Sequence, residues 1–206
     1  MRRTTPLSNH WGLDRGTPVD RFFIERFLES RRADVTGRVL EIADDRYTSR
    51  YGSRVSASDV LDVDSANPRA TLVGDLSVPE TLPAGAYDCF ILTQTLQYVF
   101  DLDAAVSSVE RVLAPGGVVL ATAPALGRMD ATVGFDRDYW RFTATSLRRL
   151  FQERFPLDLE VATFGNVLLA SAFLFGVAAE ELRAHELETN DPLFPLVVTL
   201  RARKGG

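Results

Sequence analysis

Short apolar runs separated by turn residues alternate along this chain with longer amphipathic segments. Five of the runs have the length of strands, and several are apolar at nearly every position, which is typical of strands buried on both faces of a parallel sheet. A sixth run, FPLVVTLRA, predicts a terminal strand. The five internal strands are predicted at 38–42, 54–59, 70–74, 87–93 and 118–123.

Four helices are predicted between and after these runs. In TPVDRFFIERFLESRR, Thr17 is a suitable cap, Pro18 suits the first helical position, and phenylalanines recur on one face. DLDAAVSSVERVLAPGG predicts a crossover helix that begins after Asp101 and stops at its proline and glycines. Two more helices are predicted at 146–155 and 166–187. This alternation predicts a doubly wound, Rossmann-like α/β fold with helices on both faces of the sheet.

Composition narrows the function classes. A length of 206 residues suits a single domain, and a formal net charge of -5 argues against a nucleic-acid partner, which normally requires a basic face. The lone Cys89 excludes a disulfide framework and a thiolate zinc cluster, and no metal site is predicted. The apolar run 167–179 is too short to span a bilayer, and the N-terminus lacks the apolar core of a signal peptide. We therefore expect a cytoplasmic protein without a membrane partner.

Acidic residues stand where the predicted strands end. The first strand ends in Glu41, the second in Asp59, and the third in Gly74 and Asp75, while the fourth runs into Gln94 and Thr95. In an open α/β sheet these ends converge on the ligand crevice. Three carboxylates there would repel a pyrophosphate and favour a cationic ligand with ribose hydroxyls.

The blocks VLEI, VGDLS, YDCFILTQTLQYV and VERVLAPGGVVLATAP occur in that order between Gly37 and Pro124. Together they resemble the successive motifs of the class I S-adenosylmethionine-dependent methyltransferases. The segment DYWRFTATSLRRLF, 138–151, is similar to one found in methyltransferases encoded near bacterial sugar-modifying enzymes. The resemblance implies a seven-stranded, mostly parallel sheet with an antiparallel last strand, and S-adenosyl-L-methionine as the cofactor.

The resemblance also implies roles for individual residues. Glu41 would lie beside the methionine part of the cofactor, and Asp59 would accept hydrogen bonds from the ribose hydroxyls. Gln94 and Thr95 would contact the methionine part, with Gln94 near the sulfonium. Asp75 would accept a hydrogen bond from the amino group of adenine. Leu76 and Val60 would cover the two faces of the ring.

The chain departs from the family at the turn after the first strand, where a Gly-x-Gly-x-Gly loop is expected and Ala43, Asp44 and Asp45 stand. S-adenosylmethionine carries no phosphate, so a cradle of backbone N–H groups is not required. Asp44 or Asp45 could meet the cofactor's ammonium, or either could cap a short helix that starts near Tyr47. Arg15 is a candidate for the cofactor's carboxylate, with a solvated loop arginine as the alternative.

Candidates for the acceptor side are fewer. Tyr98 could orient an acceptor or pack as a buried aromatic residue, and His10 could touch the substrate or be an ordinary loop histidine. Asp138, Tyr139 and Arg141 together suit an acceptor that bears hydroxyl, carboxylate or phosphate groups. A salt bridge within the domain is the competing role for Arg141.

The sequence thus predicts a methyltransferase that acts on a small molecule, with O-methylation of a sugar or natural product as the first hypothesis. A catalytically degenerate binding or assembly protein and a nicotinamide-dependent oxidoreductase are the alternatives. Residues 1–36 are predicted to form a helical cover, 37–124 the cofactor-binding half and 125–206 the acceptor-side half of one domain. A homodimer remains open.

Overall fold

Seven strands form one sheet in the computed structural model, which describes residues 3–206. Residues 1 and 2 of the predicted 1–36 cover therefore lie outside the described part. The strands are β1 Thr36–Ile42, β2 Arg54–Asp62, β3 Leu72–Val73, β4 Tyr87–Thr93, β5 Leu113–Pro124, β6 Leu159–Phe164 and β7 Val197–Arg203.

The strand order is β3-β2-β1-β4-β5-β7-β6. The first five strands pair in parallel, whereas β7 runs antiparallel to both β5 and β6. The chain reverses its direction of travel across the sheet between β1 and β4, which creates a crevice at the carboxyl ends of these strands. The predicted fold class is confirmed, including the antiparallel last strand.

Helices cover both faces because successive strand residues point to opposite sides. Leu40 and Phe90 belong to the core under the helices at 102–112 and 144–152, while Val39 and Ile91 belong to the core on the other face, under the helices at 19–30, 46–51 and 167–175. No helix of residues 3–206 is long and apolar enough to cross a membrane. The helices are α1 Val19–Ser30, α2 Arg46–Tyr51, α3 Leu102–Val112, α4 Ala144–Gln152, α5 Val167–Phe175 and α6 Ala184–Glu188.

Several predicted boundaries were wrong for local reasons. Thr17 does not cap α1, because its hydroxyl donates to Glu180 (2.7 Å) instead. The single helix predicted at 166–187 ends at Gly176, whose φ of 70° is left-handed and terminates α5. The pattern did not predict β6, and β2 continues three residues beyond Asp59.

Candidate functional site

One cavity of about 520 Å³ opens at the carboxyl ends of β1 and β4, at the point where the strand order reverses. This volume is typical of a small-molecule site, for which ~300–1,000 Å³ is the usual range. Residues of the N-terminal segment and of the loop after β5 also line it. Ten of its lining residues are charged: Asp20, Arg21, Glu41, Asp44, Arg46, Asp62, Arg128, Asp130, Asp138 and Arg141.

Two regions of the cavity differ in origin. The sheet end is lined by residues at or just after the ends of β1, β2 and β4, namely Glu41, Ala43, Asp44, Asp62 and Gln94. The loop end is lined by Tyr98, Arg128, Asp130, Asp138 and Arg141.

Glu41 is buried and holds the start of α2 in place. One carboxylate oxygen accepts from the backbone N–H of Tyr47 (3.0 Å), and the other accepts from the backbone N–H and the hydroxyl of Thr48 (both 2.7 Å). Burial raises the pKa of Glu41 to about 7, although these three donors lower it. The cap of α2 is therefore supplied by a strand residue, and Asp45 makes no cap bond.

The glycine-free turn uses Ala43 in a backbone conformation that glycine normally provides. Ala43 has a φ of 66°, its N–H donates to Leu61 O (3.0 Å), and its carbonyl accepts from Asn67 Nδ2 (2.8 Å). Left-handed backbone costs a residue with a Cβ about 1 kcal/mol or more. The turn is thus rebuilt with local strain rather than lost.

Replacing Ala43 by glycine should relieve this strain. We expect Ala43→Gly to change the free energy of unfolding by between zero and about +1 kcal/mol, since glycine also gains freedom in the unfolded chain. Ala66→Gly is the matched control, because Ala66 has no positive φ and should lose about 0.5–1 kcal/mol. Urea unfolding measures both, and equal destabilisation of the two variants would contradict the strain at Ala43.

Asp44 lies in the cavity but is not a free carboxylate. It pairs with Arg46 (2.5 Å) and also accepts from the backbone N–H of Arg46 (3.1 Å). Burial raises its pKa, yet the Arg46 guanidinium and N–H prevail and hold the pKa below its ordinary value. Asp44 is therefore a charged member of the sheet end whose charge is largely balanced.

Asp59 does not reach the cavity, and the residue at the end of β2 is Asp62. Asp59 lies inside β2, where it pairs with Arg38 (2.7 Å) and accepts from Thr71 Oγ1 (3.0 Å). Asp62 lines the cavity and accepts from Asn67 Nδ2 (2.6 Å). The sequence reads Asp-Val at 59–60 and again at 62–63, and the first copy was the wrong choice for the strand end.

The residues predicted to hold adenine do not line the cavity. Val60 and Leu76 are each 4% exposed and lie in the core, so neither presents a face to a ligand. Asp75 follows β3 and accepts from the backbone N–H and the hydroxyl of Ser77 (both 2.8 Å). Val63, which follows Asp62, is 68% exposed.

Gln94 and Thr95 both line the cavity, as predicted for the turn after β4. Gln94 has a φ of 47°, and its N–H donates to Thr122 O (2.9 Å), so the chain turns sharply here. The carbonyl of Gln94 accepts from Gln97 Nε2 (2.9 Å). Two turns with left-handed residues, at Ala43 and Gln94, therefore face the same crevice.

Arg15 pairs with Glu181 outside the cavity, whereas Arg21 lines the cavity. Arg21 and Asp20 line the cavity from the first turn of α1. Within the described part of the chain Arg21 forms no ion pair. Burial raises the pKa of Asp20 to about 6.

Tyr98 lines the loop end and donates its hydroxyl to Asp130 Oδ2 (3.1 Å). Burial raises the pKa of Tyr98 to about 12, so the phenol stays protonated at neutral pH. Asp130 also accepts from the backbone N–H (2.9 Å) and the hydroxyl (2.6 Å) of Thr132. Among residues 3–206 no arginine or lysine pairs with Asp130. The sequence analysis did not single out this residue.

Asp138 and Arg141 form a salt bridge at the loop end. Both Asp138 oxygens accept from the Arg141 guanidinium (2.5 and 2.9 Å), and Asp130 N–H donates to Asp138 (2.9 Å). The Arg141 bond, opposed by burial, holds the pKa of Asp138 below its ordinary value. Tyr139 and His10 do not line the cavity: Tyr139 packs edge-on against Phe100, and His10 is exposed.

The N-terminal segment reaches the cavity through residues that the sequence did not single out. Trp11 and Leu13 line it, and Arg128 stacks on the Trp11 ring with its guanidinium carbon 3.8 Å from the ring centre. The sequence signal available for this contact was a tryptophan beside a glycine. Its partner, Arg128, lies more than a hundred residues away along the chain. No cluster of three or more metal-ligating side chains occurs among residues 3–206.

Comparisons with known proteins agree with this architecture. Residues 34–121 match the family model described as a methyltransferase domain. No curated protein sequence matches the chain significantly. Solved structures with similar folds include a S-adenosylmethionine-dependent methyltransferase from Mesorhizobium loti, which is 20% identical with a TM-score of 0.57 over 94% of this chain and 100% of that one.

Two further structures are comparable. A SAM-dependent methyltransferase from Archaeoglobus fulgidus is 15% identical, with a TM-score of 0.55 over 89% of this chain and 98% of that one. The N-methyltransferase NodS from Bradyrhizobium japonicum is 16% identical, with a TM-score of 0.56 over 92% and 98%. At such identities the likeness concerns the fold. Residues 34–121 thus match a methyltransferase domain, and the whole chain shares the fold of solved S-adenosylmethionine-dependent methyltransferases.

Proposed function

We propose that this protein transfers a methyl group from S-adenosylmethionine to an oxygen of a small molecule such as a sugar or natural product. The observation that carries the proposal is a single cavity with acidic strand ends on one side and the Tyr98–Asp130 hydrogen bond on the other. A donor and an acceptor bound together there would be held in contact, and such proximity supplies much of the rate of a displacement reaction.

The sheet end suits the amino-acid part of the cofactor. This part carries an ammonium and a carboxylate, and the cavity offers Asp20 and Glu41 for the first and Arg21 for the second. Arg21 is not neutralised by another residue of the described chain, which leaves its guanidinium available for a carboxylate. We therefore assign to Arg21 the role first predicted for Arg15.

Asp62 suits the ribose hydroxyls. A carboxylate has about four acceptor sites. Asp62 uses two of them, for Asn67 and for the backbone N–H of Asp64 (2.9 Å), so it retains acceptor capacity. The adjacent, exposed Val63 offers an apolar surface for the adenine ring. These two residues replace Asp59 and Val60 in the proposal.

When bound, S-adenosylmethionine supplies a methyl group activated on a sulfonium. At the loop end Asp130 is the best candidate for a general base, because it lacks a cationic partner and touches Tyr98. Tyr98, with its pKa raised by burial to about 12, would donate to or orient the acceptor oxygen rather than take its proton. Asp138 is less suited, because Arg141 holds its charge.

The division of the chain follows the same logic. Residues 1–36 contribute Trp11, Asp20 and Arg21 to the cavity, 37–124 contribute the sheet end, and 125–206 contribute most of the loop end. We propose that the three segments are the cover, the donor half and the acceptor half of one domain.

A catalytically degenerate binding protein is the second candidate, favoured by the absence of glycine in the turn at 43–45. Both candidates require that the protein bind the cofactor. Isothermal calorimetry with S-adenosylmethionine and S-adenosylhomocysteine tests this, and saturable binding is the expected result. Transfer of labelled methyl to a panel of sugars and phenols then separates enzyme from binding protein. Binding of NAD in place of both nucleosides would overturn the proposal in favour of an oxidoreductase.

A further inference from the structure

Arg128 has a guanidinium that no carboxylate neutralises. It lines the loop end of the cavity, and within residues 3–206 it takes part in no ion pair. One terminal nitrogen donates to Asn9 O (2.5 Å), and its Nε is buried without a hydrogen-bond partner in the described chain. Apart from the bond to Asn9 O, the Arg128 guanidinium has no acceptor among the described residues, so its other terminal nitrogen, Nη1, is left for a ligand.

The surroundings of Arg128 hold it in place while leaving donors available. Its guanidinium lies flat against Trp11 at 3.8 Å from the ring centre, an arrangement that fixes the plane without using N–H groups. Its own carbonyl accepts from Arg141 Nη2 (2.8 Å), which brings the two arginines together.

Arg141 adds a second buried donor at the same place. Its Nη atoms are used by Asp138, while its Nε is buried without a partner in the described residues. A Cβ built on Gly127 would lie 3.6 Å from this Nε, and Gly127 itself lines the cavity. Two Nε–H donors of adjacent arginines therefore lie at the loop end, one on a neutralised and one on a free guanidinium.

We propose that Arg128, with Arg141 beside it, forms an anion-binding subsite for a carboxylate or phosphate group carried by the methyl acceptor. This inference rests on the proposed function, because the subsite belongs to the acceptor end of the same cavity. Planar guanidinium groups are suited to both anions, whose oxygens match two parallel N–H donors. The acceptor would thus be an acidic molecule, such as a sugar acid, sugar phosphate or hydroxy acid, rather than a neutral one.

The position also separates this subsite from the one that holds the cofactor's carboxylate. Arg21 lies on α1, which packs against β7, α5 and α2, whereas Arg128 lies in the loop after β5 with Asp130 and Asp138. Asp130 forms no ion pair with Arg128 among the described residues, and its oxygens accept from Tyr98 and Thr132 instead. The cavity has one free arginine at each end.

Titration of inorganic phosphate and of acetate into the full-length protein, saturated with S-adenosylhomocysteine, tests the subsite. We expect binding to the wild type and at least tenfold weaker binding to Arg128→Gln. Arg137→Gln is the matched control: it removes the same charge from the same exposed loop, outside the cavity, and should change the affinity less than twofold. Comparison of the two anions distinguishes a phosphate from a carboxylate site.

Two results would overturn the proposal: no anion binding to the protein saturated with S-adenosylhomocysteine, or equal affinity in wild type and Arg128→Gln. A separate nucleoside titration of each variant reports on the cofactor site, so failure of the proposed function is recognised independently. Gly127→Ala is a second variant, whose Cβ makes only ordinary contacts at 3.6 and 3.7 Å and therefore preserves folding. The added methyl would occupy the space beside Arg141 Nε that a bound anion would use, so anion binding should weaken, and an unchanged affinity would count against the subsite.

Transfer of labelled methyl provides a functional readout with two pairs of acceptors, each with one acidic and one neutral member. The pairs are glucuronate with glucose, and hydroxybenzoate with hydroxybenzamide. We expect the acidic member of each pair to be preferred. In Arg128→Gln this preference should fall at least tenfold, because the KM for the acidic acceptor rises. A preference for the neutral members would overturn it.

Discussion

Asp62→Ala is expected to weaken the binding of S-adenosylhomocysteine by roughly 10- to 150-fold. Hydrogen bonds to a charged group contribute about 1.5–3 kcal/mol, and every 1.4 kcal/mol corresponds to about tenfold in affinity. Asp62 is the carboxylate at the end of β2 that lines the cavity, and its loss would leave two ribose hydroxyls without an acceptor. Isothermal calorimetry at fixed pH and salt measures the change.

Asp59→Ala is the matched control on the same strand. Asp59 pairs with Arg38, which is 49% exposed, so its removal should lower stability by less than about 1 kcal/mol and leave the nucleoside affinity within twofold. The two substitutions remove the same group three residues apart. A larger loss of affinity in Asp59→Ala than in Asp62→Ala would restore the assignment drawn from the sequence and refute the one drawn from the structure.

Glu41→Ala is expected to lower the free energy of unfolding by about 3 kcal/mol at pH 5. Three buried donors, two on the backbone and one on Thr48, lose their acceptor, at about 1 kcal/mol each. Since α2 begins at these donors, the turn through Ala43 should loosen as well. Urea unfolding measures the loss, and Asp45→Ala, which removes no cap bond, should stay within about 0.5 kcal/mol.

The effect of Glu41→Ala should shrink as pH rises. The pKa of Glu41 is about 7 in the folded protein, above its ordinary value of 4.5, because burial disfavours the charged carboxylate. The folded state therefore binds this proton more tightly, and the stabilisation present below about pH 4.5 is lost as pH rises through 7, by on the order of 3 kcal/mol. A difference between wild type and variant that widens from pH 5 to pH 8 would contradict this assignment.

The two Asp-Val dipeptides illustrate where sequence reasoning stopped. A strand end is not marked by any residue type, and both 59–60 and 62–63 read Asp-Val. The choice is made by pairing: β2 stays in register with β1 as far as Leu61, opposite Ile42, so the strand runs on past Asp59. Because side chains alternate across a strand, a shift of three residues also moves the carboxylate to the other face.

The N-terminal candidates failed for a different reason. Arg15 and Arg21 are equally plausible in a linear sequence, and only the packing of α1 on the sheet directs Arg21 into the cavity while Arg15 pairs with Glu181. Asp138 and Arg141 did meet at the cavity, because their spacing of three residues is local. Asp130 and Arg128 were missed since their partners, Tyr98 and Trp11, are distant along the chain.

By itself the sequence determined the alternation of strands and helices, and hence the sheet, because hydrophobic periodicity is a local property that burial must satisfy. It also placed acidic and turn residues at the edge where β1 and β4 end. Only the tertiary structure decided which carboxylates are free and which form ion pairs with Arg38, Arg46 or Arg141. It also decided which arginines remain without an ion-pair partner in the described chain. Charge pairing acts across space between segments far apart in the chain, so no linear pattern reveals it.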